Sequence, residues 1–268
     1  MKKFCRLMLL GLAIICPGMA EEKFQPEFYA FYNGMPAGTH EETAAFLKET
    51  GFTGVSQIYG RDGGDKLTER VSVYEMVGVK VLSIYVPATT EPIQEEMIKG
   101  LADRGGMIEL TVKEVNEEVV ESIRQTAAMA EKLKIKVVLY PHAALAVETM
   151  PQAMDLIAKV DHPNLGVMFN LCHFLKSEKA EDMEKVLDAA GDRLFAVSTC
   201  GADIDGKNWE QLIQTLDKGS FPQRRLFDKL KAMGFTGPVG LQCYAIKGDK
   251  KANLKASMAA WKELMGGF

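Results

Sequence analysis

Two of the four histidines in this 268-residue chain, His142 and His173, follow short apolar runs of the kind that end a buried strand. An imidazole in such a place can take or give a proton near neutral pH, or offer a ring nitrogen to a metal. Three amides, Asn170, Gln242 and Gln57, lie at the ends of similar runs. An amide both donates and accepts hydrogen bonds, which suits the hydroxyls of a sugar. Tyr32, Tyr59, Tyr85, Tyr140 and Tyr244 add flat apolar faces with polar tips, and Glu109 adds a carboxylate within a strand-like run. Together these residue types suit proton transfer beside a carbonyl on a polyhydroxylated small molecule. Each also has a structural reading: a histidine bonded to a loop, an amide satisfied by backbone, a tyrosine packed for its area. His40, at a helix start, and His162, in a loop, read as solvent-facing.

Other chemistries lack support. Cys172, Cys200 and Cys243 have no C-x-x-C spacing and read as small buried hydrophobes, not as a disulfide framework or a soft-metal site. No G-x-S-x-G, Walker loop or H-E-x-x-H occurs, so serine nucleophiles, nucleotide binding and zinc proteolysis have no motif. A net charge of −4 argues against nucleic acid as a partner. At 47% hydrophobic and 25% charged, the composition is that of a globular chain and not of a multi-span membrane protein.

The elements that must position these residues alternate eight times. β-branched and aromatic runs fall at 28–33, 54–59, 81–86, 107–112, 136–142, 165–171, 194–199 and 239–244. Helical patterns fall at 40–49, 66–77, 91–103, 117–134, 150–159, 182–190, 223–233 and 253–264. Asn116 is placed to cap the fourth helix, and Pro151 sits in the first turn of the fifth. Strand–helix alternation requires a parallel sheet with right-handed crossovers, and eight such units predict one closed (β/α)8 TIM barrel. An open doubly wound sheet is the rival, but the turn after the first strand, Asn33-Gly34-Met35-Pro36, is not glycine-rich. In a barrel the carboxyl ends of the strands form the catalytic face, where the residues above collect.

Lys2, Lys3 and Arg6 precede an apolar run at 7–16, with Gly18 and Ala20 behind it. That pattern predicts a signal peptide over 1–20 and a barrel domain over 21–268, hence a periplasmic or secreted protein. A lipoprotein attached through Cys16 is the lesser alternative, because Ile15 stands where a small residue belongs. The apolar run is too short to remain as a membrane span.

Three stretches carry a resemblance: YPHAALAVET at 140–149, HPNLGVMFNLCHFLK at 162–176 and GFTGPVGLQCYAI at 234–246. They resemble the sugar phosphate isomerase/epimerase group with the xylose-isomerase-like barrel. The resemblance implies action on a sugar, keto-sugar or inositol derivative by moving protons next to a carbonyl. It also implies acidic residues ending strands five, six and eight and a histidine on strand seven, around one divalent metal. Here those positions read Tyr140, Asn170, Gln242 and Ser198 or Thr199, so the usual ligand set is absent. His173 matches the histidine three residues past the strand-six position, and His142 one that lies two past strand five.

Three readings follow. The chain is a metal-free isomerase, epimerase or lyase; or it holds a metal atypically through His142 and His173, helped by Glu148 or Glu109; or it binds carbohydrate without turnover. The first is the leading expectation. His142 and His173 serve as base and acid, and Tyr140 polarises an oxygen. Asn170, Gln242 and Gln57 orient hydroxyls, with Tyr32, Tyr85 and Glu109 completing the pocket. Cofactor, substrate identity and oligomeric state, a homo-oligomer included, are left open.

Overall fold

Residues 23–58 and 66–268 are described by the computed structural model of the protein. Eight β-branched and aromatic runs form the strands: β1 (Phe28–Phe31), β2 (Gly54–Ile58), β3 (Lys80–Ala88), β4 (Met107–Val112), β5 (Lys136–Leu139), β6 (Leu165–Asn170), β7 (Leu194–Thr199) and β8 (Val239–Leu241). They pair in parallel in chain order, and β8 returns to β1 through Phe28 opposite Val239, closing the barrel. The alternation thus has the outcome expected of it. The signal-peptide segment and Tyr59 lie outside the described residues. Among the described residues no helix is long and apolar enough to cross a membrane.

Several helices begin where the chain supplies caps. α1 (His40–Thr50) opens on a capping box between Thr39 and Glu42 and stops at Gly51, whose φ of 106° is left-handed. α4 (Glu117–Lys132) is capped by Asn116, whose side chain accepts from the Val119 N–H at 2.8 Å. α5 (Met150–Val160) carries Pro151 in its first turn, as expected. α2 (Leu67–Met76), α7 (Met183–Ala190), α9 (Gln223–Ala232) and α10 (Lys250–Gly266) keep within a few residues of their patterns.

Differences cluster where the chain leaves a strand. The pattern at 91–103 shrinks to α3 (Glu95–Ile98) and a 3-10 turn; Pro92 keeps Glu91 out of a helix, and the Ile93 N–H is taken by the Thr126 hydroxyl. β5 ends before Pro141, which has no N–H for the ladder. β6 passes directly into α6 (Leu171–Ser177), so His173 stands in a helical first turn and not on a strand. Periodicity could not separate this short helix, buried from Leu171 to Leu175, from a continued strand. A further short helix, α8 (Trp209–Leu212), follows β7.

Alternation within the strands sorts the interior from the helix layer. Phe28 faces outward and stacks on Trp261 of α10 at 4.0 Å, while Tyr29 and Phe31 turn inward. Gly240 makes room for them: a Cβ there would lie 2.7 Å from the Tyr29 ring and 2.9 Å from Phe31.

Candidate active site

A cavity of about 610 Å³ opens at the carboxyl ends of the strands. Its buried wall is made by Phe31, Tyr140, His173 and Gln242, and its mouth by the exposed Trp209 and Tyr244. Tyr140 and Gln242 each stand one residue past a strand, held there by one more ladder bond. The Tyr140 N–H donates to Leu110 at 2.7 Å and the Gln242 N–H to Thr199 at 2.8 Å.

The two imidazoles meet. His142 and His173 lie with ring centroids 4.0 Å apart, and the peptide between them sets their protons. The Ala143 N–H donates to Nδ1 of His173 at 3.1 Å, so neutral His173 carries its proton on Nε2. The Ala143 carbonyl lies 2.8 Å from Nδ1 of His142 and can only accept, so His142 carries its proton on Nδ1 and leaves Nε2 with a lone pair. The backbone of one residue, Ala143, therefore holds a base and a donor side by side. Burial, and then the nearby His142, push the pKa of His173 down to about 3, so it stays neutral.

Tyr140 is fixed with equal care. The backbone N–H of Tyr244 donates to Oε1 of Gln242 at 3.0 Å, which turns the amide nitrogen towards Tyr140. Nε2 donates to the phenol oxygen at 3.1 Å, leaving the phenol's own proton for another acceptor. Burial first, then Cys172, Tyr85 and Glu109, hold the Tyr140 pKa well above its ordinary value, so it remains a donor. Tyr85 meets Tyr140 edge-on at 5.1 Å, and burial and Glu109 raise its pKa to about 12.

Glu109 is wholly buried and does not line the cavity. Its Oε1 accepts from Tyr29 at 3.0 Å and from Ser83, while Oε2 has no partner. Burial raises its pKa to about 7, against the lowering effect of Ser83 and Tyr29. It is a core carboxyl behind the tyrosines and not a direct substrate ligand.

Several expectations need correction. Tyr32 leaves the cavity and stacks on His40 at 5.5 Å, because the chain turns into a 3-10 helix at that point. His40 is itself half-buried with Nδ1 3.2 Å from the Tyr74 hydroxyl, and half-buried His162 accepts from the Asn164 N–H, so neither is simply solvent-facing. Gln57 is buried away from the lining, with no partner for either amide atom. Glu148 turns back to accept from the Ala144 N–H at 2.9 Å and braces the loop behind His142. Asn170 sits beside the Tyr140 phenol, accepts from the Cys172 thiol at 3.3 Å, and has a buried Nδ2 without a partner. The three cysteines are free and buried, as expected.

The residues present do not fit the family's divalent metal. Among the four corresponding positions, Tyr140 is a protonated phenol, and Asn170 and Gln242 are neutral amides. Thr199 donates its hydroxyl to Gln223 at 2.8 Å, and Ser198 is neutral too. Gln242 even presents N–H and not oxygen. A hard dication stripped of water would find no anion there. Among the described residues no three His, Cys, Asp or Glu side chains gather to hold a metal.

Trp209, Glu210 and Ile213 also line the cavity and carried no expectation. The signal was a cap: Asn208 accepts from the Gln211 N–H and starts α8 inside a stretch with no apolar periodicity.

Comparison with known proteins adds relatives to this geometry. The family model for the xylose isomerase-like TIM barrel matches residues 75–264. The 3-dehydroshikimate dehydratase of Pseudomonas aeruginosa is 25% identical over 134 residues, 47% of this chain and 20% of that enzyme. The aligned part thus spans only a fifth of that relative. A 3-keto-D-glucoside 4-epimerase from E. coli superimposes with a TM-score of 0.72 at 17% identity, covering 89% of this chain and 99% of the other. A D-psicose 3-epimerase from Clostridium cellulolyticum H10, crystallised with D-tagatose, gives 0.70 at 14% identity over 89% and 98%. At such identities the shared property is the fold.

Proposed function

The chain belongs to the xylose isomerase-like TIM barrel family, and from that footing we propose that it moves a proton next to the carbonyl of a sugar or keto-sugar. The outcome is isomerisation, epimerisation or β-elimination. One observation carries the reading: the Ala143 peptide holds His142 as a base and His173 as a donor in one cavity wall, beside a protonated Tyr140.

Nε2 of His142 takes the proton from the carbon next to the carbonyl, and the bonding pair shifts onto the carbonyl oxygen. The enolate oxygen then accepts from Nε2–H of His173 and the hydroxyl of Tyr140, donors already oriented before the charge develops. Passage of the neighbouring hydroxyl's proton to the enolate oxygen, with return of the carbon proton to the former carbonyl carbon, completes an isomerisation; return to the original carbon from the other face completes an epimerisation. Delivery to a departing β-oxygen completes an elimination. These steps use no metal, and Asn170 stands beside the Tyr140 phenol. The relatives whose names denote sugar epimerases and a dehydratase agree with this class of chemistry.

The leader expected over 1–20 puts the reaction in the periplasm or outside the cell, and among the described residues the lining has no Lys or Arg to favour nucleic acid. Mass spectrometry of a panel of ketoses incubated with the protein in D2O tests the reading. Deuterium enters the carbon next to the carbonyl with wild type, and His142→Gln slows that entry by about two orders of magnitude or more. No exchange with any sugar would leave a carbohydrate-binding barrel in its place.

A further inference from the structure

Two of the large apolar side chains exposed on this protein, Trp209 at 41% and Tyr244 at 52%, stand together at the mouth of the same cavity. Aromatic side chains gathered at a cavity mouth mark a binding site, and one face of this indole carries the Lys176 ammonium 5.8 Å from the ring centre. The indole is held firmly. α8 is capped by Asn208, Lys207 N–H donates to Gln211, and the Trp209 ring meets His173 edge-on at 5.2 Å. Tyr244 is tied to the reactive wall by its own N–H on Gln242. Between them Glu210 faces the cavity, its carboxylate 2.9 Å from Lys247 across the rim.

The charge of the lining is as informative as its shape. Among the described residues it contains no Lys or Arg, His173 is neutral, and its one carboxylate is already paired with Lys247 at the rim. A phosphate or carboxylate entering here would lose water and meet no cation in the described lining, since Lys247 at the rim is already held by Glu210. The unsatisfied groups ask for the opposite partner. The buried Oδ1 of Asn33 has no donor, and Nε2 of His142 and the Glu210 oxygens also accept. Hydroxyls donate to such atoms and phosphate oxygens do not.

We propose that the substrate is an uncharged sugar of two rings. The reacting ring lies against Tyr140, His142 and His173, and the second stacks on Trp209 and Tyr244 with its hydroxyls on Glu210. This assignment rests on the proton-transfer reading only for which ring reacts. A second sugar ring fits better than a plain apolar substituent, because the rim interleaves aromatic faces with hydrogen-bonding groups.

Calorimetric titration separates the possibilities, using His142→Gln protein so that no turnover intervenes. The probes are fructose, fructose 6-phosphate and three ketose disaccharides of different linkage: lactulose, maltulose and isomaltulose. At least one disaccharide binds about tenfold or more tightly than fructose, and that ratio falls towards one in a Trp209→Ala background. Fructose 6-phosphate binds no better than fructose. Equal binding of fructose and all three disaccharides overturns the proposal, as does a preference for the phosphate or a ratio unmoved by Trp209→Ala. Should Trp209→Ala fail to fold, the disaccharide-to-fructose ratio of the parent protein decides alone. A disaccharide preference without deuterium exchange in wild type would sink the catalytic reading and leave this one standing. Exchange without the preference would do the reverse.

Discussion

The Ala143 peptide reaches both imidazoles, one through its N–H and one through its carbonyl, and so decides which ring nitrogen is free on each. Assigning base to one histidine and donor to the other follows from that, where residue type alone allowed either order. Two buried groups behind this wall titrate in opposite senses. Glu109 has its pKa raised by burial from 4.5 to about 7, so between those values the folded protein holds a proton the unfolded chain has lost. Stability therefore falls as pH rises through that window, by about 3 kcal/mol in all, and is flat above it. His173 is lowered from 6.5 to about 3, so stability falls instead as pH drops through that range, by up to about 5 kcal/mol. Between pH 4.5 and 6.5 the two slopes oppose each other. Glu109→Gln keeps an acceptor for Tyr29 and Ser83 and removes the first slope. Urea unfolding should then show the variant more stable than wild type at pH 8 and close to it at pH 4.5. A variant weaker than wild type at pH 8 would mean that the carboxylate is stabilised by something other than these two hydroxyls.

At the scale of elements, the site is made where strands stop. Tyr140 and Gln242 both stand one residue beyond a strand, aligned by a last ladder bond, and their side chains meet across the barrel. Gly240, two residues earlier, keeps the interior open for Tyr29, the ring that also supports Glu109. Gly240→Ala adds a methyl group within 2.7 Å of that ring and is expected to cost about 1–3 kcal/mol, read as a lower urea midpoint. The cap residues Asn116 and Pro151 were legible because their chemistry is local. The helix that carries His173 was not, since a seven-residue buried helix and a continued strand share one apolar pattern.

For the molecule as a whole, the electrostatic character of the barrel mouth sets what it can hold. Neutral groups stand at the three positions where the family's metal would need anions, and a hydroxyl where it would need an imidazole. Deuterium exchange should accordingly be unchanged by EDTA, and Mn2+ should leave the thermal midpoint in place. Restoring charge with Asn170→Asp and Gln242→Glu together should create a midpoint shift on adding Mn2+. A shift in the wild-type protein would show a metal site that the donor chemistry does not support. The proposed export has its own check: the intact mass of protein recovered from outside the cytoplasm corresponds to a chain beginning at Glu21.

The alternation of eight apolar runs with eight helical patterns determined the barrel, and with it the strand ends at which the cavity opens, without coordinates, because burial periodicity and crossover handedness are properties of the chain itself. It also picked out His142, His173, Tyr140, Tyr85 and Gln242, whose positions near strand ends sufficed. Only the folded arrangement could dismiss Tyr32, Gln57 and Glu148 from the pocket, bring in Trp209 and Glu210, and place Glu109 behind the wall. Which way a side chain turns after its strand depends on partners more than a hundred residues away, as with Gln242 and Tyr140, and no local pattern encodes that meeting.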